Sequence, residues 1–341
     1  MKTIILNNPG EFRIIDRNEL EAPEEGEAIL KIKRVGICGT DYHAFRGQQP
    51  FFSYPRVLGH EIGAEIAAIG GSTGYAGLEI GDKISLEPYI NCNQCQACRN
   101  GNTNCCENLQ VLGVHADGGM TEFLKVPIRK LHKSNQLSFD QLALVETLGI
   151  GLHAVNRVAI TKDDKVLIIG AGPIGLSVAQ FAKLTGAFVA VADRSESRLA
   201  FVSANGLSDT NIVVTETLHE GLLRESLHND LPTVIIDASG NRASMLNTFN
   251  IAAFGAKIVF VGLFQGNVDF NDPNFHRRQL SLMASRNAMP EDFKKIISLI
   301  ETHQIDTNPW LSHRSSFDDL PNTFESLLQP DQGVIKAIID L

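Results

Sequence analysis

No cysteine follows Cys106 in this chain of 341 residues, tryptophan occurs once, and basic residues are outnumbered. Gly, Pro or charge interrupts the apolar stretches well short of the roughly 18–20 residues that span a bilayer. The run from Met1 to Leu6 holds one Lys and four apolar residues after Thr3 or before it, too few for a secretory core. Lys and Arg number 30 against 39 Asp and Glu, a net charge of −9, with no basic run. Such a chain repels nucleic acid and anionic membrane, so neither is expected as a partner. The expected compartment is the cytoplasm. The composition itself, 43% hydrophobic and 20% charged, is that of a globular protein with an ample core. Its length suggests two domains.

Cys38, Cys92, Cys95, Cys98, Cys105 and Cys106 are the six cysteines, five of them within one short stretch. A disulfide framework would spread them over a small secreted chain, so the cluster points to metal.

The first part of the chain reads as short strands between turns, with candidates at 2–6, 12–16, 28–37, 63–69, 83–87 and 122–126. From Lys165 the pattern changes. Apolar runs at 165–170, 188–193, 212–214, 233–238, 257–262 and 280–285 alternate with helical stretches of about ten residues. That alternation predicts βαβ units on a doubly wound parallel sheet buried on both faces. A helix at 291–303 and a strand at 333–340 follow.

Gly170-Ala171-Gly172-Pro173-Ile174-Gly175 follows the first of these strands and opens a helix. In that context G-x-G-x-x-G is a dinucleotide turn: Gly170 bends, Gly172 admits a pyrophosphate, and Gly175 allows close helix packing. The helix N-terminus, with Pro173 and Ile174 in its first turn, offers N–H groups to phosphate. Asp193, at the end of the next strand, is placed to accept the ribose hydroxyls, which favours NAD over NADP. Arg194 beside it tolerates a 2′-phosphate and weakens that preference; Arg198 is a further cofactor candidate.

Cys92-x2-Cys95-x2-Cys98-x7-Cys106 has the spacing of a closed tetrahedral zinc site, which staples a loop too polar to form its own core. Cys105 is the surplus thiol. Two other fragments, Cys38-Gly39-Thr40-Asp41-Tyr42-His43 and Gly59-His60-Glu61, together supply a thiolate, an imidazole and a carboxylate. Three such ligands with one open position are the set of a catalytic zinc.

These four motifs, in this order, resemble the zinc-dependent medium-chain dehydrogenase/reductase superfamily over essentially the whole chain. The resemblance implies a mostly β, GroES-like catalytic domain (1–147, with the zinc lobe near 88–110, completed by 286–341). Into it a Rossmann NAD-binding domain (148–285) is inserted. Within the superfamily the chain is similar to the polyol, threonine and sugar-acid branch. There the catalytic zinc ligands correspond to Cys38, His60 and Glu61, with Glu146 as a direct ligand, an exchanging one, or an acid behind the ligands. The branch commonly has Glu-Pro at that last position; here it is Glu146-Thr147.

Two zinc ions and one NAD per chain, in a homodimer or homotetramer, are thus implied. The chemistry implied is hydride transfer from a secondary alcohol to nicotinamide, with Thr40 and His43 relaying the proton outward. The stretch Leu112–Gly119 is similar to oxidoreductases of the galactonate or gulonate type, which makes a polyol or sugar acid the expected substrate. His115 and Arg286 are the candidate substrate contacts, the latter for a carboxylate. An L-threonine 3-dehydrogenase activity is the alternative. A non-catalytic member of the fold, or a zinc-free quinone or enoyl reductase, would not need the full ligand set.

Overall fold

The computed structural model describes residues 1–50, 52–71, 77–329 and 332–341. Two compact units emerge, one of Met1–Glu146 with Met289–Leu341 and one of Thr147–Ala288. The chain leaves the second unit three residues beyond the expected 285, because Ala288 is still buried and Met289 caps the next helix.

Strands β1 (Lys2–Asn8), β2 (Glu11–Asp16) and β3 (Glu27–Ile37) lead into the short helix α1 (Gly39–Phe45). They are followed by β4 (Glu61–Ile69), β5 (Lys83–Leu86) and β6 (Tyr89–Ile90). The cysteine-rich stretch holds one short helix, α2 (Gln96–Arg99), before β7 (Gln110–Val111), β8 (Phe123–Pro127) and β9 (Leu131–Lys133). Helix α3 (Phe139–Val158) was not expected from the sequence. Its residues 142–149 are all buried, Glu146 and Thr147 included, so this stretch is covered on every side and shows no amphipathic stripe.

The second unit runs β10 (Lys165–Ile169), α4 (Pro173–Leu184), β11 (Phe188–Asp193), α5 (Glu196–Ala204) and β12 (Thr210–Val213). It continues with α6 (Glu220–Ser226), β13 (Val234–Asp237), α7 (Arg242–Ile251), β14 (Lys257–Phe260), α8 (Asp272–Arg277) and β15 (Ser281–Ala284). All six strands pair in parallel, in the order β12-β11-β10-β13-β14-β15. The order reverses between β10 and β13, the switch point at which such sheets bind ligands beyond their carboxyl ends. The core strands are apolar throughout because helices cover both faces; Val166, Leu167 and Ile168 are fully buried.

The chain then returns to the first unit through α9 (Pro290–Glu301), β16 (Leu311–Ser316), α10 (Leu320–Thr323) and β17 (Lys336–Asp340). Here the sheet order is β16-β17-β3-β4-β5-β9, with β8 also on β3. β17 thus lies beside β3, which leads into Cys38, and β3 lies beside β4, which starts at Glu61. Strand pairing therefore brings residues 36–38, 61 and 336 together from three distant parts of the chain.

Candidate active site and metal centres

Cys38 stands at the N-cap of α1, and Asp41 accepts its backbone N–H at 2.9 Å. Gly59 has a positive φ of 94° and packs against Gly113, where a Cβ would come within 2.9 Å of Gly59 backbone atoms. That close approach holds the turn that delivers His60 and Glu61. The ligand atoms of Cys38, His60 and Glu61 all lie within 4.8 Å of one another. His60 and Glu61 are buried.

The surroundings fit a cation. His60 Nδ1 faces Asp41 Oδ1 at 4.0 Å, and among the described residues neither buried atom has a hydrogen-bond partner. Burial alone would strip the imidazole of its proton, yet the charges of Cys38, Asp41 and Glu146 hold its pKa well above the ordinary value. An excess of buried anionic donors around one imidazole calls for positive charge. The thiolate–imidazole–carboxylate set suits zinc and leaves a coordination position open.

Part of that charge comes from a residue the sequence reading missed. Lys336 on β17 is buried, and its Nζ lies 2.5 and 2.7 Å from the Glu61 oxygens and 3.2 Å from the Ile37 carbonyl. Burial works against its charge, but the Glu61 carboxylate outweighs that and raises its pKa. The available signal was a Lys flanked on both sides by apolar residues in the C-terminal strand. Gly36, the cross-strand partner of Glu61, was missed as well: a Cβ there would overlap Oε2 of Glu61.

Glu146 stands outside the mutually close set of Cys38, His60 and Glu61. It is buried, and its Oε1 accepts the hydroxyl of the equally buried Tyr89. Burial raises the Glu146 pKa, assisted by the Glu61 charge and opposed by His60. Burial, then the Glu146 carboxylate, raises that of Tyr89 well above its usual value, so the phenol keeps its proton and donates. Thr40 Oγ1 lies 3.9 Å from Cys38 Sγ, and His43, one residue beyond Tyr42 on α1, is exposed. His115 is half-buried, with Nδ1 accepting the Val111 N–H at 3.0 Å. Arg286 is exposed and belongs to the other unit.

In the lobe, the sulfurs of Cys92, Cys95, Cys98 and Cys106 lie within 4.8 Å of one another, while Cys105 is exposed. The N–H of Cys95 donates to Cys92 Sγ at 3.4 Å and that of Cys92 to Cys106 Sγ at 3.2 Å. Hydrogen bonds from the Gln94 and Cys95 backbone bring the Cys92 pKa down to about 6. Backbone hydrogen bonds lower the Cys95 pKa too, whereas burial raises that of Cys106 to about 11, so a metal would displace its proton on binding. Four sulfur ligands leave no position for substrate.

A cavity of about 670 Å³ opens at the carboxyl ends of β10, β11, β12 and β13. Gly170, Gly172, Asp193, Arg194 and Arg198 line it. Gly170 has φ +100°, and a Cβ at Gly175 would overlap the Gly170 carbonyl, which explains both glycines. A Cβ at Gly172 would lie 3.9 Å from Nη1 of Arg198, so this guanidinium borders the turn. Pro173 and Ile174 open α4 from a Gly172 N-cap. The Asp193 oxygens already accept backbone N–H groups, Oδ2 from Ala171 at 2.6 Å and Oδ1 from Ser195 at 2.7 Å. A carboxylate has lone pairs to spare for ribose hydroxyls as well.

With this geometry in view, residues 24–136 match the family described as alcohol dehydrogenase GroES-like domain, and residues 173–302 match zinc-binding dehydrogenase. The chain belongs to the zinc-dependent medium-chain alcohol dehydrogenases, oxidoreductases acting on CH–OH groups. It is 43% identical to the L-galactonate-5-dehydrogenase of Escherichia coli K12, covering 99% of this chain and 98% of that one. It is 33% identical to an L-threonine 3-dehydrogenase of Vibrio parahaemolyticus, over 94% of each chain. Among solved structures, the short chain alcohol dehydrogenase RspB of Escherichia coli CFT073, complexed with NADH, superposes with a TM-score of 0.92. That protein is 30% identical, with 100% of this chain and 99% of the other covered.

Proposed function

We propose that the protein is an NAD-linked dehydrogenase that oxidises a secondary alcohol of a sugar acid, of the galactonate type, to a ketone. The observation that carries this reading is the 43% identity to an L-galactonate-5-dehydrogenase along nearly the full length of both chains. The Cys38 thiol with the buried His60 imidazole and Glu61 carboxylate supplies the matching chemistry.

A zinc ion held by Cys38, His60 and Glu61 would polarise the substrate hydroxyl, and NAD on the Gly170–Gly175 turn would accept the hydride. The protein's own groups do the rest. Asp41 Oδ1 faces Nδ1 of His60 at 4.0 Å and would accept its N–H when the ring coordinates through Nε2. Lys336 and Gly36 hold the Glu61 carboxylate in place. Thr40 would relay the proton, accepting it at Oγ1 while releasing its own hydroxyl proton outward, and the exposed His43 imidazole would take that proton up and release it to water. Arg286 and His115 are the proposed contacts for the substrate's carboxylate and hydroxyls. Cofactor preference follows Asp193, whose charge repels a 2′-phosphate.

The active form is proposed to be a homo-oligomer. β15 ends the six-stranded sheet, its outer edge pairs with no strand among the described residues, and it carries exposed Leu282. Edge pairing with a second copy would satisfy that strand. Among the described residues no helix is long and apolar enough to cross a membrane. The four-cysteine group needs reduced thiols to bind a metal, which supports work in the reducing cytoplasm.

The test is NAD reduction by the purified protein across galactonate, gulonate, sorbitol, xylitol and threonine. Turnover with an aldonate is expected, and turnover confined to threonine would replace this reading with the amino-alcohol one.

A further inference from the structure

Glu146 is a buried carboxylate and so has the chemistry of a further metal ligand. Burial and charge bind it to the site: the electrostatics of both His60 and Glu61 act on it. Yet it is absent from the mutually close donor set, and its carboxylate is taken by Tyr89. Tyr89 is not a mobile partner. It is 2% exposed, sits in β6 paired with Val111 of β7, and meets the Phe293 ring edge-on at 6.3 Å. Phe293 is itself fully buried and stacks on His132 at 4.8 Å. β6 runs directly into Cys92, so the tyrosine is anchored at the base of the four-cysteine lobe.

We propose that Tyr89 is a positioning residue that holds Glu146 off the catalytic metal and so keeps one coordination position open for substrate. The proposal rests on the reading of Cys38, His60 and Glu61 as the metal ligands. The physical argument is competition. A buried carboxylate must satisfy its lone pairs, and a fixed phenol donor is one way to do so. Remove the donor, and a metal held by Cys38, His60 and Glu61 would compete for that charge. Coordination would then close the position that a substrate hydroxyl needs. On this view the lobe has a second consequence besides stapling its own loop, because it carries the strand that pins Tyr89.

The test uses a hybrid protein with Zn2+ in the lobe and Co2+ at the catalytic site. Imidazole binding is followed through the visible bands of Co2+, which respond only at a centre with an open position. Wild-type protein should bind imidazole. Tyr89→Phe should weaken it by about tenfold or more, and adding Glu146→Gln to Tyr89→Phe should restore it. Glu146→Gln alone should leave the Co2+ bands unchanged. Normal imidazole binding by Tyr89→Phe, or a loss that Glu146→Gln does not restore, would overturn the proposal. If Tyr89→Phe fails to fold, the Glu146→Gln spectrum still decides, since altered bands would make Glu146 a ligand in the presence of Tyr89. Failure of wild-type protein to hold Co2+ outside the lobe would instead refute the ligand assignment itself.

Discussion

Gly36 and Glu61 face each other across β3 and β4, and the absent side chain of one is the space occupied by the carboxylate of the other. The carboxylate reaches Lys336 only because of that space. Gly36→Ala should displace Glu61 and lower stability by roughly 1–3 kcal/mol from overpacking. Zinc affinity at the catalytic site should fall about 10–100-fold, as for other lost supporting contacts. Lys336→Met should cost more, about 3–5 kcal/mol, because it strands a buried carboxylate. Urea denaturation and metal analysis check both. Wild-type zinc affinity in Gly36→Ala would show that Glu61 does not hold the metal.

The lobe should behave differently. Cys95→Ser should reduce zinc from two per chain to one and lower stability before it alters hydride transfer, since its sulfur belongs to the closed group. Metal content, thermal unfolding and single-turnover kinetics separate the two effects. A variant with native stability that had lost only hydride transfer would reverse the structural and catalytic assignments.

Cofactor choice should turn on Asp193. Asn at that position keeps one acceptor for the Ala171 or Ser195 N–H but removes the charge that repels a 2′-phosphate. Arg194 and Arg198 already border the cavity. Asp193→Asn should shift the NADP-to-NAD ratio of kcat/KM upward by roughly 10–100-fold. An unchanged ratio would place cofactor discrimination elsewhere.

His43 tests the proton path. Its exposure at the end of α1 suits release to water. His43→Ala should slow single-turnover hydride transfer by about a hundredfold and change its pH profile. If neither moved, the relay would not run through this residue.

Acid should loosen the first unit through Asp140. Burial opposes its ionisation, but hydrogen bonds from Arg314 and Arg34 outweigh this and hold its pKa below the ordinary 3.8. A carboxyl depressed in the folded state stabilises fully above its unfolded pKa and stops doing so as pH falls through the folded value. The urea midpoint of wild type should therefore exceed that of Asp140→Asn by a constant margin above about pH 5, and the margin should shrink below pH 4. A margin independent of pH would mean that the asparagine harms packing and not charge.

Local chemistry made much of this protein legible in its amino acids. The Gly170–Gly175 turn, the Cys92–Cys106 spacing and the alternation of apolar strands with helices each depend on neighbours within one short segment. Periodicity and spacing record such needs directly. Helix α3 escaped because burial on every side erases the periodicity that betrays a helix.

The catalytic surroundings were decided by tertiary structure. Lys336 is a single lysine until β17 pairs with β3, Gly36 an ordinary glycine until β4 sets Glu61 against it, and Tyr89 an apolar-strand residue until Glu146 reaches its hydroxyl. Each of these roles comes from the desolvation of charges brought together over long stretches of chain. That cost exists only once the fold has removed water from between them.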